Sequence, residues 1–246
     1  MSEISVQLYT VREAIAADLP SALERIAAIG FTNVEPYGFV ERAQEYAEQL
    51  GRLGLTAPSA HAGMIGHDLA PIFDAASTIG ISTLIDPFID PGLWTTAEGV
   101  AASAAALNEV AKAAADRGLR VGYHNHYWEL ENRIGGVTAL EAFADQLDDA
   151  VVLEVDTYWS EVGGVSAAGL LERLGERVRF IHVKDGPISL ETKQQVAVGS
   201  GRVPVLEILA AAPQALRVVE LDDFDGDIFE ALADSLAFLK NNGVAA

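Results

Sequence analysis

Four short runs of this chain set imidazole, carboxylate and amine side chains two residues apart. They are His124-Asn125-His126, Glu154-Val155-Asp156, His182-Val183-Lys184 and Glu220-Leu221-Asp222. Residues i and i+2 of a β-strand leave the same face. If each run is a strand end, each pair points one way, and 121–126 reads as a strand presenting both His124 and His126. Glu129 follows three residues later, and Glu35 and His61 close two earlier apolar runs. Burying an unpaired carboxylate costs on the order of several kcal/mol. Thirty-six acidic residues share only sixteen lysines and arginines, so a divalent cation is an economical partner for acids gathered with histidines. With no cysteine in the chain, oxygen and imidazole donors suit Mn²⁺, Co²⁺, Zn²⁺ or Mg²⁺.

Each residue also has a plainer reading. His61 alone fits a hydrogen-bonded rim histidine, and Glu35 fits an ion pair. Asp222 and Asp223 read as solvated loop acids, and His67 belongs to a helix start beside Asp68. Trp94, Trp128 and Trp159 lie near strand ends, where they either pack or stack on a sugar face. Glu154, Asp156, His182 and Glu220 are harder to explain without a shared partner.

The elements that would position these side chains follow a repeating order: an amphipathic or Ala-rich helix, a glycine, then a short apolar run. The joins are Ile29-Gly30-Phe31, Leu53-Gly54-Leu55, Ile79-Gly80-Ile81 and Arg117-Gly118-Leu119. Glycine just past a helix end accepts the left-handed conformation that closes the last turn. Strands are expected at 4–9, 33–37, 56–61, 82–86, 121–126, 151–156, 178–183 and 216–221. Helices alternate with them, including 40–53, one from Thr95 or Thr96 to about 117, 137–146 and 227–239. Eight such units predict a (β/α)8 TIM barrel, one domain over 1–246, with its active site at the C-terminal strand ends. An open doubly wound sheet would carry a Gly-rich phosphate turn, which is absent. Gly199-Ser200-Gly201 reads as a loop hinge.

A formal charge of −20 argues against nucleic acid and anionic membrane surfaces. No run is long and apolar enough to span a bilayer, and the first residues lack a signal-peptide pattern. A cytoplasmic location is the expectation. The Ala-rich helix faces leave a homo-oligomer open.

Tyr-His-Asn-His-Tyr-Trp-Glu (123–129), Glu154-Val-Asp-Thr-Tyr-Trp159, His182-Val-Lys-Asp-Gly186 and Val219-Glu-Leu-Asp222, together with Gln7 to Arg12 and Gly30 to Glu35, carry a resemblance over nearly the whole length. The chain resembles the xylose isomerase-like barrel proteins of the sugar phosphate isomerase/epimerase group. That resemblance implies one divalent metal, with Asp156, His182 and Glu220 as ligands and His124 where the ketose epimerases have a glutamate. It implies catalytic roles for Glu220 first, then Glu154, His126 and Lys184, and substrate contacts from Glu35, His61, Glu129 and Trp159. The implied activity is isomerisation or epimerisation of a small carbohydrate through an enediolate. Dehydration or elimination from a keto-sugar, keto-glycoside or inosose is the alternative, and a non-catalytic sugar-binding barrel the third reading. The superfamily's abasic-site endonucleases fit poorly with the charge. Lys193 and Arg202 read as solvated loop cations, which favours an unphosphorylated substrate.

Overall fold

The computed structural model describes residues 4–244. Eight parallel strands form its main sheet: β1 (Ile4–Gln7), β2 (Asn33–Glu35), β3 (Ser59–His61), β4 (Thr83–Asp86), β5 (Arg120–His124), β6 (Val152–Asp156), β7 (Val178–Val183) and β8 (Leu216–Val219). Neighbours follow chain order, and β1 pairs with β8. Isolated parallel bridges join Asn33 to Thr56 and Tyr37 to His61 between β2 and β3. The ring is therefore a nearly closed TIM barrel, as the helix–glycine–strand rhythm predicts.

Local chemistry sets the helix limits. Leu19–Ile29 starts on the Asp18 side chain and ends at Gly30, whose φ of +106° only glycine adopts readily. Leu69–Ile79 starts on Asp68 and ends at Gly80 in the same way. Thr96 caps the long helix Ala97–Ala115 through the Gly99 amide. Outward strand residues such as Val6, Val34, Val121, Leu153, Ile181 and Val219 join buried helix residues in one core. Inside the barrel, Ile85, Val152 and Phe180 form a separate apolar plug, with Leu216 packed on it. Polar residues on the inner face therefore sit above a dry floor.

Register decides which of them meet. Leu153 of β6 pairs with Val178, but Glu154 pairs with Phe180, so the ladder slips by one residue. Because strand side chains alternate, this slip switches the faces that align. It brings Asp156 level with His182, which lies level with Val218 of β8. His124 pairs with Glu154.

Several elements differ from expectation. β1 stops at Gln7, and Leu8–Val11 forms a 3-10 turn. β5 stops at His124, so His124 and His126 do not share a strand face. Asn125 accepts the Asp156 amide and Glu129 accepts the His126 amide, which turns the chain at this point. A helical turn, Trp128–Glu131, and a hairpin of Arg133–Ile134 with Val137–Thr138 follow. The expected helix at 137–146 shortens to Ala139–Ala144, because Thr138 and Glu141 form a reciprocal capping box at its start.

The glycines of Gly199-Ser200-Gly201 do not form a hinge. The amides of Gly199 and Gly201 donate to Asp185 Oδ2 (both 2.9 Å), while those of Gly186 and Val203 donate to Oδ1 (2.8 and 3.1 Å). The loop is folded around an internal carboxylate, the kind of amide nest that elsewhere holds anions. Among the described residues no helix is long and apolar enough to cross a membrane.

Candidate metal centre

The side chains singled out in the sequence converge at the C-terminal end of the barrel, in layers. Glu35, on β2, is fully buried. It takes hydrogen bonds from Gln7 (2.8 Å) and the Ser59 hydroxyl, and lies 2.9 Å from His182 Nε2 and 3.1 Å from His61 Nε2. Glu154 Oε1 is a hub, 2.6 Å from His61 Nε2, 3.0 Å from His182 Nε2 and 3.2 Å from His124 Nδ1. Above it, His182 Nδ1 lies 2.7 Å from Glu220 Oε2. The Lys184 ammonium reaches Glu220 Oε2 (2.7 Å), Asp156 Oδ2 (2.9 Å) and both oxygens of Asp222 (2.9 Å each). Asp222 is not a solvated loop acid: Gln195 clamps it, donating from Nε2 (2.6 Å) and accepting its amide (2.7 Å).

Burial and neighbours set the charges. Burial lowers basicity at His182, but Glu154 and Glu220 outweigh it and hold the imidazole protonated well above the usual histidine range. His61 behaves alike: burial works against protonation, yet Glu35 and Glu154 push it up to about 9. Burial and the neighbouring His182 keep His124 neutral, and burial and Lys184 take His126 down to about 3. Burial would raise Glu220, but Lys184 and His182 hold it below the usual carboxylate range. For Asp156 burial prevails over Lys184 and raises the carboxyl to about 6.

Among the described residues, two donor groups could hold a cation. His61, His124, Glu154 and His182 form one, Asp156, His182 and Glu220 the other, with ligand atoms in each group within 4.8 Å of one another. The residues fit a divalent ion. Glu154 Oε2 is buried without a hydrogen-bond partner, and a polar atom in that state needs an explanation. Oxygen and imidazole donors are a set that first-row divalent ions accept.

A cavity of about 710 Å³ opens over this centre. His61, His124, His126 and Glu220 line it, with Tyr9, Arg12, Tyr37, Phe39, Phe88 and Asp222 around the wall. Glu35, Glu154, Asp156, His182 and Lys184 lie buried behind that lining. Glu129 is placed differently. It is buried under the β5 turn, taking hydrogen bonds from the Tyr123 hydroxyl (2.6 Å) and the His126 amide (2.9 Å). Trp159 is buried against Tyr127 and Tyr158, and Trp94 is a core residue packed on Tyr123 and Phe143. Trp128 stacks on His126 with centroids 4.3 Å apart. The aromatic wall is instead built by Tyr9, Tyr37, Phe39 and Phe88. These, Gln7, Ser59 and Gln195 escape a sequence reading because nothing distinguishes them from packing or loop residues. Neither Lys193 nor Arg202 lines the cavity, and among the described residues Arg12 is the one lysine or arginine that does. It donates to the carbonyls of Tyr9 (3.1 Å) and Asp222 (2.8 Å).

Residues 23–242 match the family model described as xylose isomerase-like TIM barrel. An inosose dehydratase of Erwinia tasmaniensis is 30% identical over 133 residues, covering 52% of this chain and 41% of that protein. The match therefore spans less than half of the relative's length. Among solved structures, a sugar phosphate isomerase/epimerase from Parabacteroides distasonis superposes with a TM-score of 0.81 at 22% identity, covering 97% of this chain and 93% of its own. The IolI protein with a bound zinc atom superposes with a TM-score of 0.74 at 14% identity, over 98% and 97% of the two chains.

Proposed function

From this chain's place in the xylose isomerase-like TIM barrel family, to which it belongs, we propose that it is a divalent-metal-dependent enzyme that moves a proton next to the carbonyl of a small carbohydrate, an isomerase or epimerase working through an enediolate. The observation that carries this reading is the meeting of Asp156, His182 and Glu220 at three successive strand ends, with Glu220 lining the cavity and the other two buried behind it. The zinc held by a structural neighbour supports a metal here. When bound, the cation supplies electrophilic polarisation of substrate oxygens.

The protein's own groups handle the proton. Glu220 Oε2 is held by His182 and Lys184, which leaves Oε1 free to face the cavity and take the proton from carbon. Its ammonium and imidazole partners keep it ionised and fix its position. His126 stands on the same cavity wall as a neutral imidazole with Nδ1 unpartnered, suited to hold a substrate hydroxyl or pass a proton. Glu154 orders His61, His124 and His182 around it, and Glu35 completes that network. The aromatic wall of Tyr9, Tyr37 and Phe88 offers apolar faces to a sugar ring, and the scarcity of cations favours an unphosphorylated substrate.

One observation favours dehydration or elimination as a second reading. β5 ends in His124, with His126 just beyond it, and offers no carboxylate opposite Glu220, so two facing glutamates cannot exchange a proton symmetrically. The neutral imidazoles there can instead hydrogen-bond a departing hydroxyl, and the protonated His61 on the same cavity can supply its proton. The similarity to an inosose dehydratase points the same way.

Metal analysis of purified protein, followed by NMR in D₂O with ketoses, keto-glycosides and inososes, tests the proposal. Deuterium entering beside the carbonyl with the carbon skeleton intact supports isomerisation or epimerisation. Loss of a β-substituent supports the second reading. No bound metal, no gain on adding Mn²⁺ or Co²⁺ and no exchange on any substrate would exclude both. His182→Ala should lose metal and turnover together; a non-catalytic sugar-binding barrel would keep its sugar affinity in that variant.

A further inference from the structure

The Lys184 ammonium makes more contacts than it has protons. It carries three N–H donors, yet four carboxylate oxygens stand within 2.9 Å: Asp156 Oδ2, Glu220 Oε2 and both oxygens of Asp222. The sharing is unequal. Both Asp222 oxygens accept well-directed hydrogen bonds, whereas Glu220 Oε2 and Asp156 Oδ2 are close ion-pair contacts, and Asp156 Oδ2 has no hydrogen bond from any group. Asp222 is in turn fixed by two hydrogen bonds to the buried Gln195. The ammonium is thus anchored on Asp222, lies closest to Glu220 Oε2, and meets Asp156 Oδ2 through charge alone.

Both of those acids, with His182, form the second donor group described above. A monovalent cation and a divalent one cannot share them: at these separations their repulsion is strong in a buried setting. We propose that Lys184 is an internal competitor for the metal, standing on Asp156 Oδ2 and Glu220 Oε2 until the metal enters and shifts it onto Asp222 alone. Gln195 and Asp222 are then positioning residues: they hold ready the acceptor that makes the shift cheap. This inference rests on the metal reading of the site.

The test is Mn²⁺ affinity, measured by calorimetry on chelator-stripped, full-length protein, with folding checked by circular dichroism. Lys184→Met removes the competitor, so Mn²⁺ should bind tighter by about tenfold or more, the worth of one charge-assisted contact no longer given up. Asp222→Asn weakens the displaced ammonium's refuge, so Mn²⁺ should bind more weakly. In the Lys184→Met background that second effect should largely vanish, which a mere through-space loss of charge would not do. Unchanged or weaker binding in Lys184→Met, or an equal Asp222→Asn loss in both backgrounds, overturns the competition while leaving the metal site intact. No Mn²⁺ binding in wild type or in Lys184→Met refutes the metal reading itself. Should Lys184→Met fail to fold, Lys184→Gln, which removes the charge and keeps hydrogen bonding, takes its place in the same comparison.

Discussion

Asp185 offers a sharp perturbation because its two oxygens divide their work. Oδ1 accepts the amides of Gly186 and Val203, both bonds buried, and Oδ2 accepts those of Gly199 and Gly201, both part-buried. In Asp185→Asn one oxygen becomes an NH₂ group, which faces two donors whichever way the amide turns. Leaving a buried donor unpaired costs about 1–3 kcal/mol, while a donor that rehydrates loses only about 0.5–1.5 kcal/mol. The cheaper flip gives up Gly199 and Gly201, for a total of about 2 kcal/mol. Asp185→Ala gives up all four bonds, two of them from buried donors, about 6 kcal/mol, a large share of the roughly 5–15 kcal/mol that stabilises an ordinary domain. Amide hydrogen exchange reads the difference directly. The Asn variant should lose protection at residues 199 and 201 and keep it at 186 and 203, and the Ala variant should lose all four. Even loss across the four amides in Asp185→Asn, or no loss in Asp185→Ala, would refute the reasoning that this carboxylate organises the loop.

Burial raises Glu129 from the ordinary 4.5 to about 7, against hydrogen bonds from Tyr123 and the His126 amide that pull it down. A carboxyl raised on folding contributes stability that is complete below its unfolded value and is lost as pH climbs through its folded one. Between pH 5 and 8 wild type should therefore lose on the order of 3 kcal/mol that Glu129→Gln keeps, and parallel stability profiles for the two would contradict the assignment. Gly122 on the inner face of β5 has no room for a side chain: a Cβ there would stand 2.6 Å from Ile85 Cδ1 and 3.0 Å from the Val152 carbonyl. Gly122→Ala should cost about 1–3 kcal/mol in chemical denaturation. An unaltered midpoint would mean that the apolar plug is looser than its packing indicates.

The barrel was legible because its signals are local. Gly30 and Gly80 close helices by backbone conformation, Asp68 and Thr96 open them by capping, and the apolar runs between them have strand length. The inner-face pairs Glu154 with Asp156, and His182 with Lys184, were legible for the same reason, since alternation needs only the neighbouring residue. What stayed hidden depends on residues distant in sequence. Strand β5 ends at His124 because Asn125 meets Asp156 and Glu129 meets the His126 amide, and neither meeting has a signature in a run of aromatic and polar residues. The slip between β6 and β7 that levels Asp156 with His182 is equally silent.

Hydrophobic pattern alone would place Glu154 and Asp156 in equivalent settings, two residues apart on one buried face. Their partners separate them. Glu154 lies level with Phe180, just above the apolar plug, and its neighbours are imidazoles; three of them close on one oxygen and leave the other unpartnered. Asp156 lies one layer higher, level with His182, where the neighbouring cation is an ammonium that has a better acceptor elsewhere. An acid ringed by imidazoles is suited to order them, and an acid whose nearest ammonium has hydrogen-bonding acceptors elsewhere is suited to exchange it. The two carboxylates of Glu154-Val155-Asp156 thus divide into a fixed and an exchangeable one, a division set by the one-residue slip and not by the acids themselves.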